Sequence, residues 1–138
     1  MKEEPLIWII DDDNISKYVM KRYLKELNIL DPVDCPDSIE ALEILSKNRN
    51  NQNELPDIIF LDLNMPILNG FQFLKEFKNF NNEIEKKIDI FMLTSSMNDD
   101  DLTYATSVFE ISGYFIKPIK LEQLALAVEN EIEELKQI

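Results

Sequence analysis

Histidine is absent from this sequence of 138 residues, and cysteine occurs once, at Cys35. The first absence removes histidine acid–base chemistry and histidine metal ligation together. The second removes any internal disulfide, which, with no export signal in view, fits a reducing cytoplasm. Basic residues are scarce as well: 14 lysines and arginines stand against 27 acidic residues, for a formal net charge of −13. A surface of that sign is repelled by a phosphate backbone, so direct binding of DNA or RNA is not expected. Long apolar runs are missing too. Leu6–Ile10 is short and follows Met-Lys-Glu-Glu-Pro. A signal peptide needs a longer apolar stretch behind a basic start, and a membrane helix needs about 20 apolar residues. The expectation is a cytoplasmic chain without membrane insertion.

What is present is enough apolar material for a core. Hydrophobic residues make up 45% of the chain and are spread along its whole length, unlike a disordered acidic tail. The length suits one domain that needs neither disulfides nor a structural metal. Leu6–Ile10, Ile58–Leu61, Ile88–Leu93 and Tyr114–Ile116 are short, bulky and mostly uninterrupted. Such runs fit strands covered on both faces, as in a parallel sheet. A weaker strand, Val33–Cys35, fits an edge.

Helical periodicity fills the intervals. Ile15, Val19, Tyr23 and Leu27 share one face of a first helix. Asp37 and Glu40 have the spacing of an N-cap and its partner, opening a second helix with Ala41, Leu42 and Leu45 inside. Phe73, Leu74, Phe77 and Phe80 mark a third. Leu102, Ala105 and Phe109 mark a fourth, begun by Asn98 or Asp99. Leu121, Leu124, Ala125, Val128, Ile132 and Leu135 make the clearest stripe, the fifth. The stretch 46–54, rich in Asn and Lys, reads as a solvated loop. Strands alternating with helices predict a doubly wound α/β domain, because parallel strands need crossover connections.

On that scaffold Asp11, Asp12 and Asp13 follow the first strand, Asp62 ends the third, Thr94 the fourth and Lys117 the fifth. Ligands of open parallel sheets bind beyond the carboxyl ends of the strands, so these groups converge. Taken singly, each has an ordinary role: Asp13 and Asn14 suit a helix start, and Lys117-Pro118 suits a turn. Together they make a site. Clustered carboxylates repel unless a cation lies between them, and oxygen-only ligands fit a hard ion, Mg²⁺ with Mn²⁺ as the alternative. A lysine and a metal supply what phosphoryl transfer to a carboxylate nucleophile requires. Thr94 is suited to donate a hydrogen bond to the phosphoryl group.

Four segments in order carry a resemblance: Ile10-Asp-Asp-Asp13, Leu61-Asp-Leu-Asn-Met-Pro66 with Gly70 following, Leu93-Thr-Ser95, and Gly113-Tyr-Phe-Ile-Lys-Pro118. The chain resembles the receiver domain of two-component response regulators, in the stand-alone, chemotaxis-type form, from about Leu6 to the final helix. The resemblance implies a flavodoxin-like, five-stranded parallel sheet of order 2-1-3-4-5 with five helices. It treats residues 1–138 as a single receiver domain without an output domain. It implies Asp62 as phosphoryl acceptor, Asp12 as direct metal ligand, Asp11 acting largely through metal-bound water, and the backbone carbonyl of Asn64 as a further ligand. Thr94 and Lys117 match the switch hydroxyl and the phosphate-pairing lysine, and Tyr114 the switch aromatic. Asn64 and Ser96 occupy positions that tune the lifetime of the phosphoryl group. The bond before the matching proline is cis in the family, which carries over to Lys117–Pro118, since X-Pro bonds have a low cis penalty.

The implied partners are a histidine kinase or histidine phosphotransfer protein as donor, and an effector that reads the helix 4–strand 5–helix 5 face. The implied state is a monomer or a phosphorylation-dependent dimer. The only chemistry expected is self-phosphorylation and autodephosphorylation of Asp62, not that of an enzyme. A haloacid-dehalogenase-type phosphatase would need an aspartate at position 64, where Asn64 stands. A flavodoxin-type flavin binder would need a hydroxyl- and glycine-rich loop in place of three aspartates. The alternative within the family is a degenerate receiver, an interaction module that is never phosphorylated, but such modules typically lose one of the residues kept here.

Overall fold

The computed structural model describes residues 4–35, 37–95 and 99–136, without the side chains of 99, 101, 102, 106 and 131–136. The apolar runs form strands β1 (Ile7–Ile10), β2 (Val33–Cys35), β3 (Ile58–Asp62), β4 (Asp89–Thr94) and β5 (Gly113–Ile116). The helices are α1 (Asn14–Glu26), α2 (Ser38–Lys47), α3 (Gly70–Lys78), α4 (Asp99–Val108) and α5 (Leu121–Lys136). Every neighbouring pair of strands is parallel, in the order β2-β1-β3-β4-β5, as the sequence predicts. The weak strand is at the edge.

Strand alternation divides the core into two layers. Trp8, Ile10, Ile59, Leu61, Ile90 and Met92 pack against Ala41, Leu45, Phe73, Phe77 and Ala105 of α2, α3 and α4. Ile7, Ile9, Ile58, Phe60 and Leu93 pack against Met20, Leu24, Leu124 and Val128 of α1 and α5. With both faces covered, β1 and β3 are buried at every position, which is why they read as unbroken apolar runs. Each fully buried Leu or Ile here contributes about 1.5–3 kcal/mol of transfer free energy.

Helix α1 departs from its predicted face. Lys17, Met20 and Leu24 are buried, whereas Ile15 is 77% exposed and Tyr23 and Leu27 pack only at the margin. The helix is turned by about one residue, roughly 100°. The reason is electrostatic. Lys17 lies 3.1 Å from Asp34 of β2, and Lys21 lies 2.8 Å from the same carboxylate. Burial opposes the charged form of Asp34, but its bonds to Lys21 and Lys17 outweigh it and hold the carboxyl below its ordinary value. A lysine inside the buried stripe hides the helix's true period.

The remaining differences are small. Asp37 caps α2 by accepting from the Ile39 N–H at 2.8 Å. Of the predicted loop 46–54, Ser46 and Lys47 belong to α2 and Gln52–Glu54 form a 3₁₀ turn. Helix α3 opens with a reciprocal cap between Asn69 and Gln72. Ala105 and Phe109 are buried as predicted. Ser96 and Asn98 lie outside the described residues, as do the side chains of Leu102, Ile132 and Leu135. At the far end of the sheet, buried Asp57 accepts the Leu6 N–H at 2.6 Å and pairs with Lys86 at 3.0 Å, fastening β1 to β3. Among the described residues, no helix is long and apolar enough to cross a membrane.

Candidate functional site

The three aspartates after β1 have three separate surroundings. Asp11 is completely buried, and its Oδ1 accepts the Asp13 N–H at 2.8 Å, which fixes the carboxylate's direction. Asp12 is exposed. Asp13 is the N-cap of α1, accepting from the Ile15 N–H at 3.0 Å. Asp62, at the end of β3, is 3% exposed and accepts the Asn64 N–H at 3.2 Å. One oxygen each of Asp11, Asp12 and Asp62 lies within 4.8 Å of the others.

Lys117 reaches this cluster from the end of β5. Its Nζ stands 2.9 Å from Asp11 Oδ2 and 3.3 Å from Asp62 Oδ2. The first distance is that of an ion pair, yet Asp11 Oδ2 has no aligned hydrogen-bond donor among the described residues. The Lys117 N–H donates to the Thr94 carbonyl at 2.7 Å, and the Lys117–Pro118 bond is cis. Thr94 is buried at the end of β4. By strand alternation it shares a sheet face with Met92, whose cross-strand neighbour is Tyr114. Tyr114 is half-buried against the α2–α3–α4 layer.

Electrostatics follow from this crowding. Burial pushes the Asp62 carboxyl up to about 6, with Asp11 adding to the shift and Lys117 and the Asn64 N–H opposing it. Burial works against the charge of Lys117, but the two carboxylates prevail and raise its ammonium above the ordinary range. The site thus holds more negative charge than its one lysine balances.

Two residues shape the loop that leaves Asp62. Gly70 packs so closely that a Cβ there would lie 2.9 Å from Leu63 Cα and 3.0 Å from the Asp62 carbonyl. Ser38, buried at the start of α2, donates its hydroxyl to the Leu68 carbonyl at 2.9 Å. Nothing in the sequence pattern singles out Ser38; the Asn69–Gln72 cap, by contrast, has a readable spacing. A crevice of about 270 Å³, lined by Asp13, Ile15, Val19, Ser95, Lys117 and Pro118, adjoins the lysine. A larger cavity, about 440 Å³, lies at the opposite end of the sheet between α3 and α4 and includes none of the site residues. Of the lysines that line it, Lys86 and Lys87 are paired with Asp57 and Asp89, and Lys78 donates to the Val108 carbonyl.

A doubly wound parallel sheet with acidic groups and a lysine converging beyond its strand ends defines a class of α/β proteins. Within that class, residues 7–129 match the response regulator receiver domain, and the chain belongs to that family. It is 31% identical over 134 residues, 96% of this chain and 84% of the relative, to the "Probable methanogenesis regulatory protein FilR2" of Methanothrix harundinacea. It is 25% identical over 129 residues to chemotaxis protein CheY-3 of Vibrio cholerae, covering 94% of this chain and 92% of that one. A two-component response regulator from Cytophaga hutchinsonii has the same fold, with a TM-score of 0.82 at 22% identity over 96% of this chain and 99% of that chain.

Proposed function

We propose that Asp62 accepts a phosphoryl group from a histidine kinase or histidine phosphotransfer protein, in a Mg²⁺-dependent reaction, and that the modified chain signals to a protein partner. The observation that carries this reading is the position of Lys117 between two buried carboxylates. Its ammonium balances part of their charge at rest and is already in place for an incoming phosphoryl oxygen. Asp11, Asp12 and Asp62, with the backbone carbonyl of Asn64, would hold the cation. The oxygen-only donor set and the unaligned Asp11 Oδ2 fit a hard ion such as Mg²⁺ or Mn²⁺. When bound, such an ion neutralises phosphoryl oxygens and favours the ionised acceptor.

In the transfer, an Asp62 carboxylate oxygen attacks phosphorus. The bond from phosphorus to the donor's imidazole nitrogen breaks, and its electron pair leaves with that nitrogen. Lys117 neutralises charge on the phosphoryl oxygens, and the Thr94 hydroxyl donates to one of them. Attack by water later returns the carboxylate and inorganic phosphate, so the mark is reversible. The chain turns over no other substrate in this reading and is a signalling protein rather than an enzyme. Movement of Thr94 toward the phosphoryl group frees space for the Tyr114 ring to turn inward, changing the α4–β5–α5 face. Tyr104, Val108, Ile116 and Leu126 are exposed on these elements, which suits contact with an effector or a second phosphorylated copy.

The test is incubation with acetyl phosphate and Mg²⁺, read by intact mass, for wild type and Asp62→Asn. An addition of about 80 Da, one phosphoryl group, in wild type alone is the expected result. No addition, together with no binding of BeF₃⁻ and Mg²⁺, would overturn it in favour of a degenerate receiver that works by constitutive contact.

A further inference from the structure

Residues 63–69, which lead from Asp62 to α3, are tied together where they begin and end. The Leu63 N–H donates to the Leu93 carbonyl at 2.8 Å, and the Leu63 carbonyl accepts the Gly70 N–H at 2.9 Å. Between those points Asn64, Pro66 and Ile67 are exposed, so burial fixes little of the segment. Met65 is the exception, buried in the core layer shared with α2 and α3. A further hold comes from α2. The Ser38 hydroxyl donates to the Leu68 carbonyl at 2.9 Å and lies 3.5 Å from Met65 Sδ. A hydroxyl has one proton to give, and a carbonyl is a far better acceptor than a thioether. The contact with the sulfur is therefore packing, and the bond belongs to Leu68.

Helix α2 does not need this hydroxyl for its own start. Asp37 is the N-cap, accepting from the Ile39 N–H at 2.8 Å. Ser38 is 4% exposed, and a buried hydroxyl costs stability unless it is paired. Alanine at the same position avoids that cost and has the better helix propensity. What the serine adds is a bond from α2 to the segment that contains Asn64. In the ligand set proposed above, the carboxylates stand at strand ends, and the Asn64 carbonyl alone is carried on this loop. Mg²⁺ demands near-ideal octahedral geometry at about 2.0–2.1 Å, so a ligand on a loop requires the loop to be fixed. We propose that Ser38 is a positioning residue for the cation site, holding through the Leu68 carbonyl the loop on which Asn64 offers its backbone oxygen. The proposal rests on the cation reading and extends it to α2, a helix that contributes no ligand.

The experiment is calorimetric titration of Mg²⁺ into unphosphorylated wild type, Ser38→Ala and Ala41→Gly, followed by the Mg²⁺ dependence of phosphorylation by acetyl phosphate. Ser38→Ala is expected to raise the Mg²⁺ Kd about tenfold, the low end of the range for partners outside the ligand shell. The Mg²⁺ concentration for half-maximal phosphorylation rises by the same factor, and the rate at saturating Mg²⁺ is nearly unchanged. Ala41, fully buried in α2, is the control. Ala41→Gly loosens the same helix through its backbone and is expected to lower Tm while keeping the wild-type Kd. Equal Mg²⁺ affinity of Ser38→Ala and wild type overturns the positioning role. A matching loss of affinity in Ala41→Gly overturns it too, because the effect would then be general loosening of α2. A lower saturating rate with an unchanged Mg²⁺ midpoint also overturns it. A wild type that binds no Mg²⁺ overturns the cation reading and this proposal with it. A wild type that binds Mg²⁺ but takes up no phosphoryl group overturns the acceptor reading alone, and the Kd comparison still decides the role of Ser38.

Discussion

The ammonium of Lys117 lies 2.9 Å from Oδ2 of Asp11, a carboxylate with no solvent exposure. Lys117 follows the last strand and Asp11 the first, so this contact closes the sheet's functional edge. Removing one partner of a buried pair leaves an uncompensated charge, whereas removing both need not be costly. Lys117→Met is therefore expected to lower unfolding free energy by about 2 kcal/mol at pH 7, discounted from the fully buried case because the lysine is 15% exposed. Adding Asp11→Asn to that variant is expected to recover most of the loss. Urea unfolding of the four chains of the cycle measures this directly. Additive losses would show that the two side chains do not interact.

Cys35 ends edge strand β2 and is buried. Burial first, then the carboxylates of Glu40 and Asp34, push its thiol up to about 12. The attacking species in thiol chemistry is the thiolate, which is then scarce at neutral pH. The native chain at pH 8 is expected to react with Ellman's reagent only as fast as it opens, and immediately in denaturant. Rapid stoichiometric labelling of the native chain would contradict both the burial and the charge argument.

Much of the fold was legible because parallel strands buried on both faces announce themselves as apolar runs. The edge strand was legible for the opposite reason, its mixed polarity. Helix α1 was misjudged because periodicity arguments send lysines to solvent, and Lys17 instead lies against Asp34. At the site, the placement of Asp11, Asp62, Thr94 and Lys117 at strand ends followed from where the apolar runs stop. Their roles were read from the receiver resemblance, and the family membership of residues 7–129 agrees with it. The clamp on the acceptor loop was not legible. A serine that opens a helix carries no sign of which carbonyl its hydroxyl will meet, and the positive φ of 69° at Ile67 runs against the local preference of isoleucine.

Gly70 offers a steric test of how tightly the acceptor strand is held. A methyl group there meets Leu63 Cα at 2.9 Å and the Asp62 carbonyl at 3.0 Å, both backbone atoms that cannot turn aside. Gly70→Ala is expected to destabilise the chain by about 1–3 kcal/mol, the range for overpacking. It is also expected to slow phosphorylation of Asp62 by acetyl phosphate, since the shift falls on the acceptor's own backbone. Thermal melting and intact-mass kinetics on the same preparation check the two effects. A variant that is as stable and as fast as wild type would mean that α3 can move away freely.

The last prediction concerns protons. Without a cation, burial and then Asp11 raise the Asp62 carboxyl from 3.8 to about 6. The folded chain therefore takes up this proton at a higher pH than the unfolded chain does. Below about 4 both states hold it, and the group's contribution to stability is fully present. As pH rises from there toward 6 the unfolded chain ionises first, so the folded state loses stability, on the order of 2 kcal/mol in all. Asp62→Asn removes the titrating group. In EDTA at pH 7.5 the variant is expected to be more stable than wild type, with the difference shrinking toward pH 4. Mg²⁺ should work against that difference, because binding to the folded wild type stabilises it by mass action while the variant lacks one of the three carboxylates. Denaturant unfolding at several pH values, with and without Mg²⁺, measures both trends. Equal stability of the two chains in EDTA at pH 7.5 would show that Lys117 alone already balances the site's charge.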